Sequence, residues 1–163
     1  MRKIAVFVVA CYVLLLSFGC GNGQAERTTM GKATDFELRG INGNTVRLSD
    51  HSGKVIILNF FATWCPPCRM EMPDFNEISE TYKGEVEIIA INLNEPVQKV
   101  KEFANEFGIL FTIASDDGNV SNTYGPIRAI PVSVVIDKDF NIAKKYIGAR
   151  SKEIFVADIE ELK

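Results

Sequence analysis

The sequence is poor in histidine, in cysteine and in excess positive charge, and each shortage excludes a class of function. With 18 basic against 21 acidic residues among 163 and no basic cluster, no surface could follow a phosphate backbone. We therefore expect no nucleic-acid partner. A closed zinc site needs four ligands, and the ligands available besides one Cys-x-x-Cys pair are His51 and Cys20. Neither a metal nor another cofactor is expected.

Long apolar runs are also scarce. The longest, Ile4–Phe18, follows Arg2 and Lys3 at the N-terminus. Its 15 residues are fewer than the roughly 20 that a transmembrane helix needs, and small polar residues follow it. Residues 1–19 are therefore predicted to be a signal peptide, with a retained single-span anchor as the alternative.

The run ends in Gly19-Cys20, which resembles the end of a bacterial lipobox, although Ser17 stands where that pattern usually has leucine. The resemblance implies lipidation of Cys20, which would become the first residue of the mature protein. Residues 20–32 are mostly small and polar without periodicity, which predicts a flexible tether. We therefore expect an exported, membrane-anchored lipoprotein whose domain, residues 33–163, faces the periplasm or another extracytoplasmic space.

Hydrophobic periodicity after residue 33 predicts alternating strands and helices. The predicted strands are 35–38, 45–48, 54–61, 85–93, 111–114, 132–136 and 142–147, and the predicted helices are 66–82, 97–107, 119–124 and one from 151 onward. Asn42-Gly43-Asn44 supplies a turn that joins the first two strands into a hairpin, and Pro73 is expected to kink the first helix. The order predicts one α/β domain with a central mixed sheet flanked by helices.

Cys65 and Cys68 lie where the buried strand 54–61 runs into a predicted helix. A cysteine at a helix N-terminus feels the positive end of the dipole and can accept backbone N–H bonds, which lowers its pKa and makes Cys65 the candidate nucleophile. Cys68, one turn further on, can close a disulfide with it or resolve a mixed disulfide. Pro66 and Pro67 offer no N–H to a thiolate, which favours a reductant. A zinc half-site and an inert structural disulfide are the alternatives.

One stretch resembles the active site of the TlpA/ResA-like, thioredoxin-like family: Phe61-Ala62-Thr63-Trp64-Cys65-Pro66-Pro67-Cys68-Arg69, followed by Glu71-Met72-Pro73. The resemblance extends from about Ala33 to the C-terminus and includes the N-terminal hairpin and the insert between Ile91 and Phe111. It implies a thioredoxin fold with an inserted strand and helix, and thiol-disulfide exchange with partner proteins.

The resemblance also assigns roles outside the cysteine pair. Ile130-Pro131 matches the family's cis-proline, which lies against the cysteines, and the backbone of Ile130 could pair with an extended substrate segment. The residues expected to contact substrate are Trp64, Pro66, Pro67, Ile130 and Pro131. A trans proline that starts an edge strand is the alternative for Pro131.

Asn59 stands where cytoplasmic-type thioredoxins have a buried acid, and an asparagine cannot take up a proton there. Glu95 matches an acidic residue that ResA-like members carry near the active site, and it is expected to accept the proton of Cys68. The alternative is a solvated acid in the first turn of the next helix. The other polar candidates, Arg69, Glu71 and His51, are expected at the solvated surface.

These observations predict a monomeric protein thiol-disulfide oxidoreductase that reduces disulfides of exported proteins, with apocytochromes c as one substrate class. In the predicted cycle Cys65 attacks a substrate disulfide and Cys68 releases the product. A membrane thiol reductase would then return the pair to the dithiol form. The alternatives are an oxidase or isomerase of the same fold, and a non-catalytic tethered binding module in which the disulfide is structural.

Overall fold

The computed structural model describes residues 30–116, 118–125 and 127–163. The predicted signal peptide, the predicted lipidation site Cys20 and most of the predicted tether lie outside these residues. The last residues of that tether are paired with the domain. Met30 N donates to Ile142 O at 2.9 Å, and Ile142 N donates to Gly31 O at 2.8 Å. The paired part of the chain therefore includes Met30, slightly before the predicted boundary.

The strands and helices follow the predicted order. The strands are β1 (Glu37–Gly40), β2 (Thr45–Arg47), β3 (Val55–Phe61), β4 (Val86–Asn92), β5 (Thr112–Ser115), β6 (Val132–Ile136) and β7 (Ile142–Ile147). The helices are α1 (Pro66–Thr81), α2 (Val97–Phe107), α3 (Asn119–Thr123) and α4 (Lys152–Leu162). A 3-10 turn at Leu48–His51, which the sequence pattern does not predict, follows β2. Among the described residues, no helix is long and apolar enough to cross a bilayer.

Within the described ranges, the seven strands form one sheet in the order β2-β1-β5-β4-β3-β6-β7. β3 pairs in parallel with β4, and β4 with β5, while the remaining pairs are antiparallel. The predicted hairpin is confirmed, and its turn holds Gly43 at a φ of 88°, a conformation that other residues rarely adopt. The hairpin joins the sheet where Arg39 on β1 pairs with Ser115 on β5. The predicted mixed sheet flanked by helices is therefore confirmed.

β3 lies inside the sheet, between β4 and β6, and all of its residues are buried. Its side chains alternate between two cores because successive strand residues point to opposite faces. Ile57 and Phe61 face the core beneath α1, α2 and α4, which also holds the two cysteines. Ile56 and Phe60 face a second core, formed with the hairpin and α3. The cysteine turn is thus attached to the carboxyl end of a fully buried strand.

Candidate active site

Cys65 and Cys68 lie at the N-terminus of α1 and are joined by a disulfide, with their Cα atoms 5.3 Å apart. Cys65 is the N-cap residue, and its Sγ accepts a hydrogen bond from Cys68 N at 3.3 Å. Pro66 and Pro67 open the helix and have no N–H to donate. Among the described residues, Cys68 N is the one backbone amide that bonds this sulfur, which is what the Pro-Pro insert predicts.

The two cysteines differ slightly in burial. Cys68 is fully buried, whereas Cys65 keeps 3% of its surface exposed in this disulfide form. Cys65 therefore carries the outer of the two sulfurs, although little of it is accessible. Trp64 beside it is 66% exposed, and Pro66 and Pro67 are exposed as well. Apolar side chains consequently flank the outer sulfur.

The peptide bond between Ile130 and Pro131 is cis, which confirms the prediction made from the resemblance. The carbonyl oxygen of Ile130 lies 3.7 Å from Cys65 Sγ, so the loop before β6 lies directly against the outer sulfur. Gly148 N donates to Pro131 O at 2.8 Å and attaches this loop to the end of β7. The fold therefore brings the cis-proline loop and the cysteine turn together.

The prediction that Glu71 lies on a solvated helix face is wrong. Glu71 is 2% exposed, because it lies one turn after Cys68 on the face of α1 that packs against the sheet. Its carboxyl oxygens accept hydrogen bonds from Arg150 N at 2.8 Å and from Asn59 Nδ2 at 3.3 Å. Burial outweighs these bonds and raises the pKa of Glu71 to about 7. A buried carboxyl group that titrates near neutral pH therefore shares a helix face with Cys68.

Asn59 links this carboxyl group to the sheet. It is fully buried on β3, and its Nδ2 also donates to Ser133 Oγ on β6 at 3.0 Å. Its Oδ1 is buried without a hydrogen-bond partner among the described residues. The strand thus supplies no acid at residue 59, and α1 supplies Glu71 instead. Helical spacing could have revealed this, because Glu71 falls between Cys68 and Phe75 on the apolar face of the helix.

Glu95 lies beside the cysteine turn, and its side chain is 9% exposed. Its carboxylate accepts hydrogen bonds from Thr63 N at 2.6 Å, from Thr63 Oγ1 at 2.7 Å and from Asn92 Nδ2 at 2.9 Å. Lys99 Nζ donates to it at 2.7 Å. Burial alone would raise the pKa of Glu95, but the bonds from Lys99, Asn92 and Thr63 outweigh burial and lower the pKa to about 2. So acidic a group is a poor proton acceptor at neutral pH, and the expected role as base for Cys68 does not fit.

Arg69 and His51 also differ from their predicted solvated positions. Arg69 is half-buried, and its Nη1 donates to Thr63 O at 3.2 Å. His51 Nδ1 lies 3.3 Å from Glu87 Oε2, and the histidine side chain is 18% exposed. Glu87 lies near the start of β4, whereas the cysteines follow the end of its parallel neighbour β3. His51 is therefore at the opposite end of the sheet from the disulfide.

Comparisons with known proteins identify relatives of this chain. A family model described as the AhpC/TSA family matches residues 30–145. A curated relative, the thiol-disulfide oxidoreductase ResA of Geobacillus kaustophilus, is 40% identical over 170 residues, covering 99% of this chain and 97% of that protein.

Two solved structures share the fold. One is a thiol:disulfide interchange protein of the thioredoxin family from Chlorobium tepidum, with a TM-score of 0.77 and 30% identity over 85% of this chain and 99% of its own. The other is the pneumococcal exposed lipoprotein thioredoxin Etrx1 of Streptococcus pneumoniae, with a TM-score of 0.71 and 29% identity over 79% of this chain and 100% of its own.

Proposed function

The chain belongs to the AhpC/TSA family and is a thiol-disulfide oxidoreductase of the thioredoxin fold, and we propose that it works as a reductant of disulfides in exported proteins. One observation supports this direction of electron flow: few backbone N–H groups are available to bond Cys65 Sγ. Cys68 N bonds this sulfur at 3.3 Å, while Pro66 and Pro67 have no N–H to add. A thiolate with few donors is less stabilised, and a less stable dithiol form is a stronger reductant.

In the proposed cycle the Cys65 thiolate attacks one sulfur of a substrate disulfide. A mixed disulfide forms, and the second substrate sulfur leaves as a thiolate. The Cys68 thiolate then attacks Cys65 Sγ, which breaks the mixed disulfide and releases the first substrate sulfur. Two electrons pass to the substrate, and the enzyme keeps the disulfide between Cys65 and Cys68. A membrane thiol reductase is the proposed donor of the two electrons that restore the dithiol.

We propose that Glu71 accepts the proton of the Cys68 thiol. Cys68 must lose its proton before it attacks, and Glu71 lies one helical turn away on the same buried face. Because the pKa of Glu71 is about 7, its acid and carboxylate forms are both populated near neutral pH. Such a group can accept the thiol proton and return it in the next cycle.

The proposed substrate surface consists of Trp64, Pro66, Pro67, Ile130 and Pro131. An extended substrate segment would pair with the backbone of Ile130, whose carbonyl oxygen lies 3.7 Å from Cys65 Sγ. Main-chain pairing beside apolar side chains accepts many sequences, so we propose disulfide-containing exported proteins as the substrate class. Apocytochromes c are one candidate within it.

The redox potential of the cysteine pair tests the proposed direction. We expect a value near that of thioredoxin, about −270 mV, since both are reductants. A value near that of DsbA, about −120 mV, would contradict the proposal and indicate an oxidase. Equilibration in glutathione buffers, followed by Trp64 fluorescence, measures the potential.

Trapping experiments identify the substrates. Cys68→Ser should accumulate mixed disulfides at Cys65, because the second attack is then impossible. The double variant Cys65→Ser/Cys68→Ser should trap nothing and is the matched control. Trapped apocytochromes would support a role in cytochrome c maturation, whereas assorted exported proteins would indicate general disulfide reduction. If Cys68→Ser captures no exported protein, the proposed substrate class is contradicted.

We further propose that Cys20 anchors the protein as an exported lipoprotein. The support is the lipobox-like end of the predicted signal peptide and the similarity to a pneumococcal lipoprotein thioredoxin. Cys20→Ser should abolish incorporation of a labelled fatty acid. Cys11→Ser, within the predicted signal peptide, should leave it unchanged. Labelling that persists in Cys20→Ser would contradict the assignment.

A further inference from the structure

We propose that Glu95 is a positioning residue. Together with Arg69 it holds Thr63, and with it the cysteine turn, in a fixed position against α2. These contacts of Thr63 with Glu95 and Arg69 are called the brace below. This inference rests on the redox cycle proposed above, and it assigns a positioning role in that cycle to α2, the helix of the predicted insert. The brace keeps Cys65 within reach of Cys68 and thereby favours closure of the disulfide.

Thr63 lies two residues before Cys65 and is 5% exposed. Its N and Oγ1 donate to the two carboxylate oxygens of Glu95, at 2.6 Å and 2.7 Å. Its O accepts from Arg69 Nη1 at 3.2 Å. Every polar group of Thr63 is therefore bonded to a charged side chain, and such bonds are stronger than those between neutral groups. The residue cannot rotate without breaking them.

Glu95 is itself fixed in place. Asn92, the last residue of β4, donates from Nδ2 to Glu95 at 2.9 Å and accepts from Glu95 N at 3.0 Å. Lys99 in the first turn of α2 donates to the same carboxylate at 2.7 Å. Thr63 is thus tied to the junction of β4 and α2.

Arg69 ties the other side of Thr63 to the far end of α2. Its guanidinium forms an ion pair with Glu106. It also lies over the rings of Phe103 and Phe107, at 5.4 Å and 4.8 Å from their centroids. Stacking on aromatic faces adds to the ion pair and restrains the guanidinium. Both ends of α2 therefore reach Thr63, one through Glu95 and the other through Arg69.

The brace acts on the redox equilibrium through geometry. When glutathione disulfide oxidises the enzyme, a bond forms between Cys65 and Cys68, two electrons pass to glutathione disulfide, and two molecules of glutathione are released. The equilibrium constant for this reaction measures the effective concentration of one thiol at the other, which falls when their positions spread. The brace is present in the disulfide form, so its loss should disfavour closure.

The test compares Thr63→Val, which loses the hydroxyl bond to Glu95, with Thr63→Ser, which keeps it. Thr63→Val should lower the equilibrium constant for oxidation by glutathione disulfide about fivefold to tenfold, and Thr63→Ser should stay within about twofold of the wild type. Thr112→Val is the matched control, because Thr112 Oγ1 donates to Glu87 Oε1 at 3.1 Å at the opposite end of the sheet. It should lose stability without changing this constant.

A Thr63→Val protein with a lower melting temperature but an unchanged equilibrium constant would show that the contacts of Thr63 stabilise only the fold. That result would overturn the inference. So would a Thr63→Ser protein as impaired as Thr63→Val. If Thr63→Val does not fold, Glu95→Gln is measured in its place, with the same expected direction. The assay uses glutathione alone, so failure to reduce exported proteins would overturn the proposed function and not this inference.

Discussion

Glu71 and Glu95 flank the same cysteine turn and are both largely buried, yet their pKa values move in opposite directions. Glu71 is 2% exposed and has its pKa raised to about 7, whereas the side chain of Glu95 is 9% exposed and has its pKa lowered to about 2. The difference lies in the number of hydrogen-bond donors that contact each carboxyl group. Glu71 accepts one backbone and one amide N–H bond. Glu95 accepts four bonds, from Thr63, Asn92 and Lys99.

Burial penalises the charged form of either carboxyl group, so the donors decide which form is stable. A carboxyl group with few donors can exchange a proton at neutral pH. One with four donors stays ionised and can hold a neighbouring segment in place. This difference in donors supports the two roles proposed above, proton transfer for Glu71 and positioning for Glu95.

The largest effect is expected from Glu71→Gln, which removes the proton acceptor but keeps the shape of the side chain. Disulfide exchange should slow about tenfold to a hundredfold at pH 7, and the step in its pH profile near 7 should disappear. Trp64 fluorescence during reduction of a model disulfide measures both. Glu77→Gln, on the exposed face of α1, is the control. A step that survives in Glu71→Gln would assign the titration to another group.

A second prediction concerns acid stability. The folded-state pKa of Glu95, about 2, lies below its ordinary value of 4.5, so its ionised form stabilises the fold above pH 4.5 and this contribution is lost as the pH falls toward 2. Glu95→Gln should lower the free energy of unfolding by about 2 kcal/mol at pH 7 and by much less near pH 2. Urea unfolding at both pH values measures this. Equal losses of unfolding free energy at the two pH values would contradict a lowered pKa for Glu95 and remove its contrast with Glu71.

Glu71 should show the opposite pH dependence. Its folded-state pKa of about 7 lies above 4.5, so its protonated form contributes stability fully below pH 4.5, and this contribution is lost as the pH rises through 7. Relative to the wild type, the free energy of unfolding of Glu71→Gln should therefore rise by roughly 2–3 kcal/mol between pH 4.5 and pH 8. Urea unfolding at these two pH values provides the measurement. A relative loss over this interval would contradict a raised pKa.

The smallest effect is expected from Lys99→Met. The side chain of Lys99 is 51% exposed, so its ion pair with Glu95 is partly screened by solvent. The variant should lose about 0.5 kcal/mol of unfolding free energy at pH 7, and 1 M salt should reduce the difference from the wild type. A loss as large as that of Glu95→Gln would mean that Lys99, rather than Thr63 and Asn92, keeps Glu95 ionised.

The sequence predicts those features that depend on local pattern. The continuous apolar run of β3 and the helical spacing of α2 gave correct elements, and Gly108 ends α2 in the left-handed conformation with a φ of 56°. The position of Cys65 and Cys68 at a helix N-terminus followed from the same patterns. The cis bond before Pro131 came from the resemblance, because no local pattern distinguishes it from a trans bond.

The contacts that sequence reasoning missed join segments far apart in the chain. Two donors to Glu95 are local, since Asn92 lies three residues before it and Lys99 four residues after it. Thr63, which donates two of the four bonds, lies 32 residues earlier in the chain, so this part of the ionisation depends on tertiary packing. The pairing of Arg39 with Ser115 is of the same kind. Glu71 was missed for another reason. Its charge suggested solvent, although its helical spacing placed it on the apolar face beside Cys68.

The pairing of Met30 and Gly31 with Ile142 places the start of the described chain far from the disulfide. Ile142 begins β7, and Ile147 at the other end of this strand pairs with Val132, next to the cis-proline loop. Five residue steps at about 3.3 Å separate the two ends by roughly 17 Å. The chain therefore enters the domain at one pole and presents its disulfide at the other. Any attachment through the N-terminal segment would therefore meet the domain at the end of β7 that lies away from the disulfide.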